Sequence, residues 1–177
     1  MLGKAVLKEL IKSDIIWAFG AAMFLYLYLS LHMSSFILAF FSLLLILFSF
    51  GITQAVYVWV LGIDYFQALH LMSMFLVLGI AADDIFVFHD AWVQSAKLFA
   101  PYERHERMAY TIRRAYRQMV ITSCTTSVAF LANYFSDLIP VCTFGVYAAI
   151  IVQVNFLLAI TYFPAVEMML EKRNIIQ

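Results

Sequence analysis

Two adjacent acids, Asp83 and Asp84, interrupt an otherwise apolar stretch that runs from about Tyr65 to Phe88. A carboxylate at the centre of a membrane helix costs roughly 2.5–3.5 kcal/mol on insertion scales. Two in succession persist at that depth only if they face a cavity, bind a cation, carry a proton or are satisfied by a facing helix. The residues leave three readings open. The pair can supply hard oxygen ligands to a sodium ion or a similar cation. It can act as a proton relay, because two close carboxylates repel and one of them can hold a proton. Or it can be a structural pair, satisfied by serine, threonine or asparagine across a helix interface. Gly79 lies one turn before Asp83 and marks a position where a neighbouring helix can approach closely.

Candidate partners sit on other segments. Thr122, Thr126, Ala129 and Asn133 fall on one face of a later helix that opens with T-S-C-T-T-S. Hydroxyls there can coordinate a cation or bond a carboxylate, or can bond back to their own helix carbonyls. Gln153 and Asn155 are polar groups within the last apolar segment, and Gln54 is a weaker example in the second; each needs a partner. His89 and Asp90 read as an interfacial cap, with a proton exit or cation gate as the alternative, and His70 as an interfacial or packing histidine. Cys124 and Cys142 lack metal-ligand spacing and read as small buried apolar residues. No nucleophile triad, phosphate loop or zinc pattern is present, so an enzyme is not expected.

The elements that must position these residues follow from composition. The chain is 65% hydrophobic and 12% charged, with a mean hydropathy of +0.92. Soluble domains lie nearer about 45–50% apolar and about 25% charged, so these values describe an integral membrane protein. The 177 residues accommodate about five spans of ~20 residues. Net charge is zero and no basic run stands apart from the apolar segments, which excludes nucleic acid as a natural partner.

Residues 1–13 place Lys4, Lys8 and Lys12 opposite Leu2, Val6, Leu7, Leu10 and Ile11, as in an amphipathic interfacial helix and unlike a cleavable signal peptide. Residues 14–170 then form the expected bundle. Its apolar segments run from about Ile15 to Leu31, Phe36 to Leu61, Tyr65 to Phe88, Met119 to Phe135 and Val141 to Met169. A connection at 90–118 breaks at Pro101 and continues as an amphipathic helix from Tyr102 to Arg117, expected to contact anionic lipid headgroups. Residues 171–177 are a short tail. Pro140 suits the first turn of the last helix, and Pro164 is expected to bend its end. The segments are too long for barrel strands and lack their alternation, so the expected fold is an all-α, polytopic membrane helical bundle.

Lys97, Arg104, Arg107, Arg113, Arg114, Arg117, Lys172 and Arg173 share one side of a five-span topology, with Asp64 and Asp137 in turns on the other. The positive-inside rule makes the basic side, including the long connection and the C-terminus, cytosolic. The N-terminal helix then lies outside, which is explained most simply if a span precedes it in a larger protein.

The segment G-I-A-A-D-D-I-F-V-F-H-D-A-W, Gly79 to Trp92, resembles the fourth transmembrane helix of the Dispatched branch of the resistance–nodulation–division superfamily. Gly79 and Asp83 match its G-x-x-x-D motif. The similarity extends through Thr122 to Asp137, through F-G-V-Y-A at Phe144 to Ala148, and to F-P-A-V-E at Phe163 to Glu167. Order and spacing resemble the sterol-sensing domain, spans two to six of that family. The resemblance implies five transmembrane helices of this type plus amphipathic interfacial helices. It also implies one half of a cation-coupled transporter that exports or releases a lipidic or lipid-modified cargo, in Dispatched a cholesterol-modified Hedgehog signal. Asp83 and Asp84 would take the coupling ion, sodium or a proton, with Thr122, Thr126, Asn133 and Asn155 as candidate partners. Expected associates are the lipid bilayer, a bound sterol or phospholipid, the cargo, and a second transporter half or other membrane subunits. The alternative is a non-transporting sterol- or lipid-sensing or structural subunit.

Overall fold

The computed structural model describes residues 2–59, 62, 68–99 and 104–172. Five long helices account for nearly all of them: α1 Leu2–Met33, α2 Phe36–Trp59, α3 Ala68–Ser95, α4 Arg104–Leu131 and α5 Ile139–Lys172. A 3₁₀ turn at Ala132–Phe135 extends α4. There is no strand among the described residues, and the protein is an all-α membrane helical bundle. The Ile63-Asp64 turn, the Pro101 break and the tail after Lys172 lie outside the described residues, as do the side chains of Lys4, Lys8, Lys12 and His70.

Residues 16–33, 36–59 and 139–171 are long and apolar enough to cross a membrane. Helices α3 and α4 carry the polar load. Asp83, Asp84, His89 and Asp90 lie on α3, and the arginines and T-S-C-T-T-S run lie on α4. Helix α5 is the hub, packed against α2, α3 and α4, while α1 closes against α2 and α3. Its interior is aromatic and aliphatic: Phe88 of α3 meets Phe163 of α5 edge to face at 5.5 Å, and Ala148, Ile151 and Ala159 are buried.

Local chemistry sets the boundaries. Ser34 adopts a left-handed φ of 50° and ends α1. Ser35 then caps α2, its Oγ accepting from the Leu38 amide at 3.4 Å. Pro140 occupies the second position of α5, where its missing amide costs nothing. The helix continues through Pro164 to Lys172.

Two expectations about helix limits need correction. Residues 1–13 were expected as a separate interfacial helix, yet α1 runs unbroken from Leu2 through the first span. Likewise the amphipathic connection is not a helix of its own. From Arg104 onward it is the first half of α4, because Met108, Thr111, Ala115 and Met119 form one buried stripe that continues into Ser123 and Ser127. The expected close-packing role of Gly79 also fails within this chain: a Cβ built there meets nothing within 4 Å. Gly145 has that role instead. A Cβ on it would lie 2.6 Å from the Phe130 carbonyl oxygen and 2.7 Å from the Asn133 Cβ, so α5 presses directly on the end of α4.

Candidate functional site

Successive residues on an α-helix point about 100° apart, so neighbouring aspartates on α3 cannot face the same way. Asp84 points into the bundle and is 3% exposed. Its Oδ2 accepts a hydrogen bond from Asn155 Nδ2 of α5 at 3.0 Å. Asp83 is exposed. Both line a groove of about 420 Å³ between α3 and α4, together with Phe75, Leu76, Gly79, Ile80, Thr122, Ser123 and Thr126. Gly79 therefore opens the wall of this groove, and no described residue of this chain packs on it.

The candidate partners divide. Asn155 reaches Asp84 directly. Thr122 and Thr126 line the groove, although the Thr122 hydroxyl donates back to the carbonyls of Gln118 and Met119 at 3.3 and 3.1 Å. Asn133 sits in the 3₁₀ turn beside Gly145 and is not among the groove residues. Gln153 ties α5 to α4, its Nε2 donating to the Ser123 carbonyl at 3.2 Å and to Ser127 Oγ at 2.7 Å. Two buried oxygens nearby have no hydrogen-bond partner: Asn155 Oδ1 and Ser123 Oγ. Like the carboxylates, these are hard oxygens of the kind that bind cations. Cys124 is exposed and is not the buried apolar residue expected.

Further along the same helices lies a second polar cluster. His89 is buried and its Nδ1 lies 2.9 Å from Oε1 of Glu167, a fully buried carboxylate on α5. It is not a surface cap. Arg107, expected at the headgroups, turns inward. It bonds Glu171 at 2.6 Å, Ser95 Oγ at 3.0 Å and the Trp92 carbonyl at 3.1 Å. Its guanidinium also stacks over the Trp92 ring at 3.8 Å. His32 of α1 lies 3.2 Å from Asp90. Sequence reasoning assigned no role to Glu167 or Glu171. An acid set in the apolar run A-V-E-M-M-L is the same signal that singled out Asp83 and Asp84.

A family model described as the sterol-sensing domain of SREBP cleavage-activation matches residues 31–177. The chain belongs to the sterol-sensing domain family. Within it, the sequence is similar to Protein dispatched homolog 1 of Homo sapiens, 29% identical over 169 residues, covering 95% of this chain and 11% of the relative. It is 32% identical to Protein dispatched of Drosophila melanogaster over 149 residues, 72% of this chain and 12% of that protein. Protein dispatched homolog 3 of Homo sapiens is 35% identical over 106 residues, 60% of this chain and 7% of that protein. The sterol-sensing domain described here thus spans about a tenth of the length of these curated relatives and is of the Dispatched-like, resistance–nodulation–division type.

Proposed function

We propose that this sterol-sensing domain is the membrane core of one half of a cation-coupled transporter that moves a lipidic or lipid-modified cargo, with Asp83 and Asp84 as the coupling site. The observation that carries the reading is the buried Asp84–Asn155 contact at the wall of a groove that also exposes Asp83. A carboxylate in that position can bind a cation with the unpartnered Asn155 and Ser123 oxygens beside it. It can also take a proton. The Asn155 amide is suited to either state, since it donates to a carboxylate and, turned over, accepts from a carboxylic acid. Occupancy would thereby alter how α3 sits against α5, and that movement would pass to cargo-handling parts beyond this domain. The exposed Asp83 face supports a second transporter half as the neighbour, and the arginine-rich first half of α4 supports a cytosolic placement of that end.

The test is sodium- or pH-dependent stabilisation of the protein in lipid nanodiscs. Thermal unfolding in sodium against potassium, across a pH series, should shift in the wild type and not in Asp84→Asn. Equal curves in every condition would overturn the coupling role. The family match favours a second reading, a sterol- or lipid-sensing subunit without transport. Crosslinking by a photoactivatable sterol, with no cation or pH dependence, would select it.

A further inference from the structure

The second polar cluster places four acid–base side chains in series. Asp90 meets Nε2 of His32 at 3.2 Å. The His32 ring lies 6.0 Å, centroid to centroid, from the ring of His89, and His89 Nδ1 lies 2.9 Å from Glu167 Oε1. Side-chain exposure falls in the same order, 57% at Asp90, 34% at His32, 7% at His89 and 0% at Glu167. The series therefore runs from the surface to the interior and crosses from α1 and α3 to α5.

Its inner end is incomplete as a structural contact. Glu167 Oε2 is buried and has no hydrogen-bond partner, and an unpaired oxygen on a buried carboxylate is costly. Among the described residues no charged side chain other than His89 hydrogen-bonds Glu167, and Arg107 and Glu171 act on it only through space. Arg107 of α4 directs its donors to Glu171, Ser95 and the Trp92 carbonyl. Glu171, one turn further along α5, is held by Arg107. His32 faces His89 from α1 and is itself paired with Asp90 of α3. Helix α2 has no Asp, Glu, His, Lys or Arg from Phe36 to Trp59. His89 is left as the group that exchanges a proton with Glu167.

We propose that His89 and Glu167 form a proton-binding site, separate from Asp83 and Asp84, that is loaded from the surface through Asp90 and His32. The step balances as a relay. His32 accepts a proton at Nε2 from the Asp90 side and releases the one on Nδ1. His89 accepts it at Nε2 and passes the Nδ1 proton to Glu167 Oε1, after which rotation of the carboxyl leaves the other oxygen facing Nδ1. The gap between the two imidazoles is bridged by ring rotation or by one water. The net change is one proton moved inward, with each imidazole exchanging its Nδ1–H for an Nε2–H. This proposal does not depend on cation coupling at Asp84.

Infrared difference spectroscopy on the protein in lipid nanodiscs tests it directly. A pH jump should change a carboxylic-acid C=O band that is lost in Glu167→Gln and retained in Asp84→Asn. His32→Phe should keep the band but slow its appearance about a hundredfold, the lower end of what a positioned proton-transfer group contributes. A band lost only in Asp84→Asn would overturn the proposal. Should Glu167→Gln not fold, nitrogen NMR of labelled histidine in the wild type decides the matter. On lowering the pH the His89 ring must pass from its Nδ1–H to its Nε2–H tautomer, and a ring fixed in one tautomer would overturn the site.

Discussion

The groove between α3 and α4 and the histidine-rich end of the bundle are both built on α3, and they treat charge in opposite ways. At the end, each acid has a base: Glu167 has His89, Glu171 has Arg107 and Asp90 has His32. At the groove Asp84 has one amide donor, Asn155, while Asp83 lies exposed among hydroxyls and apolar residues. Three pairs, from α1 with α3, α3 with α5 and α4 with α5, clamp four helices at one level. The Asp84–Asn155 contact joins only α3 and α5, and Asp83 has no base among the described residues. A region with compensated charge holds an architecture, whereas uncompensated acid at membrane depth must obtain its partner from an ion, a proton or another chain.

That contrast is most sharply tested at its paired side. His89→Ala strands the Glu167 carboxylate, already lacking a partner for Oε2, inside the bundle. Removing one member of a buried pair costs about 3–5 kcal/mol. The expected result is a large fall in the thermal midpoint of the nanodisc-embedded protein. A variant as stable as wild type would show that the two regions do not differ in structural weight. Asn155→Leu should have a smaller effect, about 1 kcal/mol, the scale of a single hydrogen bond between membrane helices. It removes the one donor to Asp84 while keeping side-chain volume close. A loss as large as that of His89→Ala would make Asp84 a structural residue first.

Much of this was legible in the sequence, for reasons that differ by residue. The helical bundle follows from apolar run lengths, and the importance of Asp83 and Asp84 from the cost of burying charge. Asn155 was reachable because a lone amide in an apolar helix needs a partner. What could not be read was direction. Thr122, Thr126 and Asn133 share a helical face, but Asn133 lies beyond the point where Gly145 draws α5 onto the chain and the helix tightens into a 3₁₀ turn. Gly79 was read as a contact because glycine permits one; permission is not occupancy, and here the space is open. Arg107 was placed at the headgroups by composition, whereas its guanidinium finds three acceptors and an indole face inside. Glu167 was passed over because it stands near the end of a span, where an acid ordinarily reaches water. The packing of α5 against α3 decides otherwise, because it sets Glu167 against His89, a residue far away in sequence.

The smallest expected change is also the most discriminating. Asp83→Asn removes a charge from an exposed side chain in the groove, one to which no base in the described structure is paired. The protein should fold with an unchanged thermal midpoint in salt-free nanodiscs, because no described partner is stranded. If midpoint and helicity hold while any sodium- or pH-dependent shift is lost, Asp83 takes part in ligand uptake and not in the fold. A clear destabilisation would show that Asp83 already has a partner, and the missing base would have to come from a second chain seated on the groove. The two regions would then obey one rule, each acid paired, with the pairing at Asp83 completed between molecules.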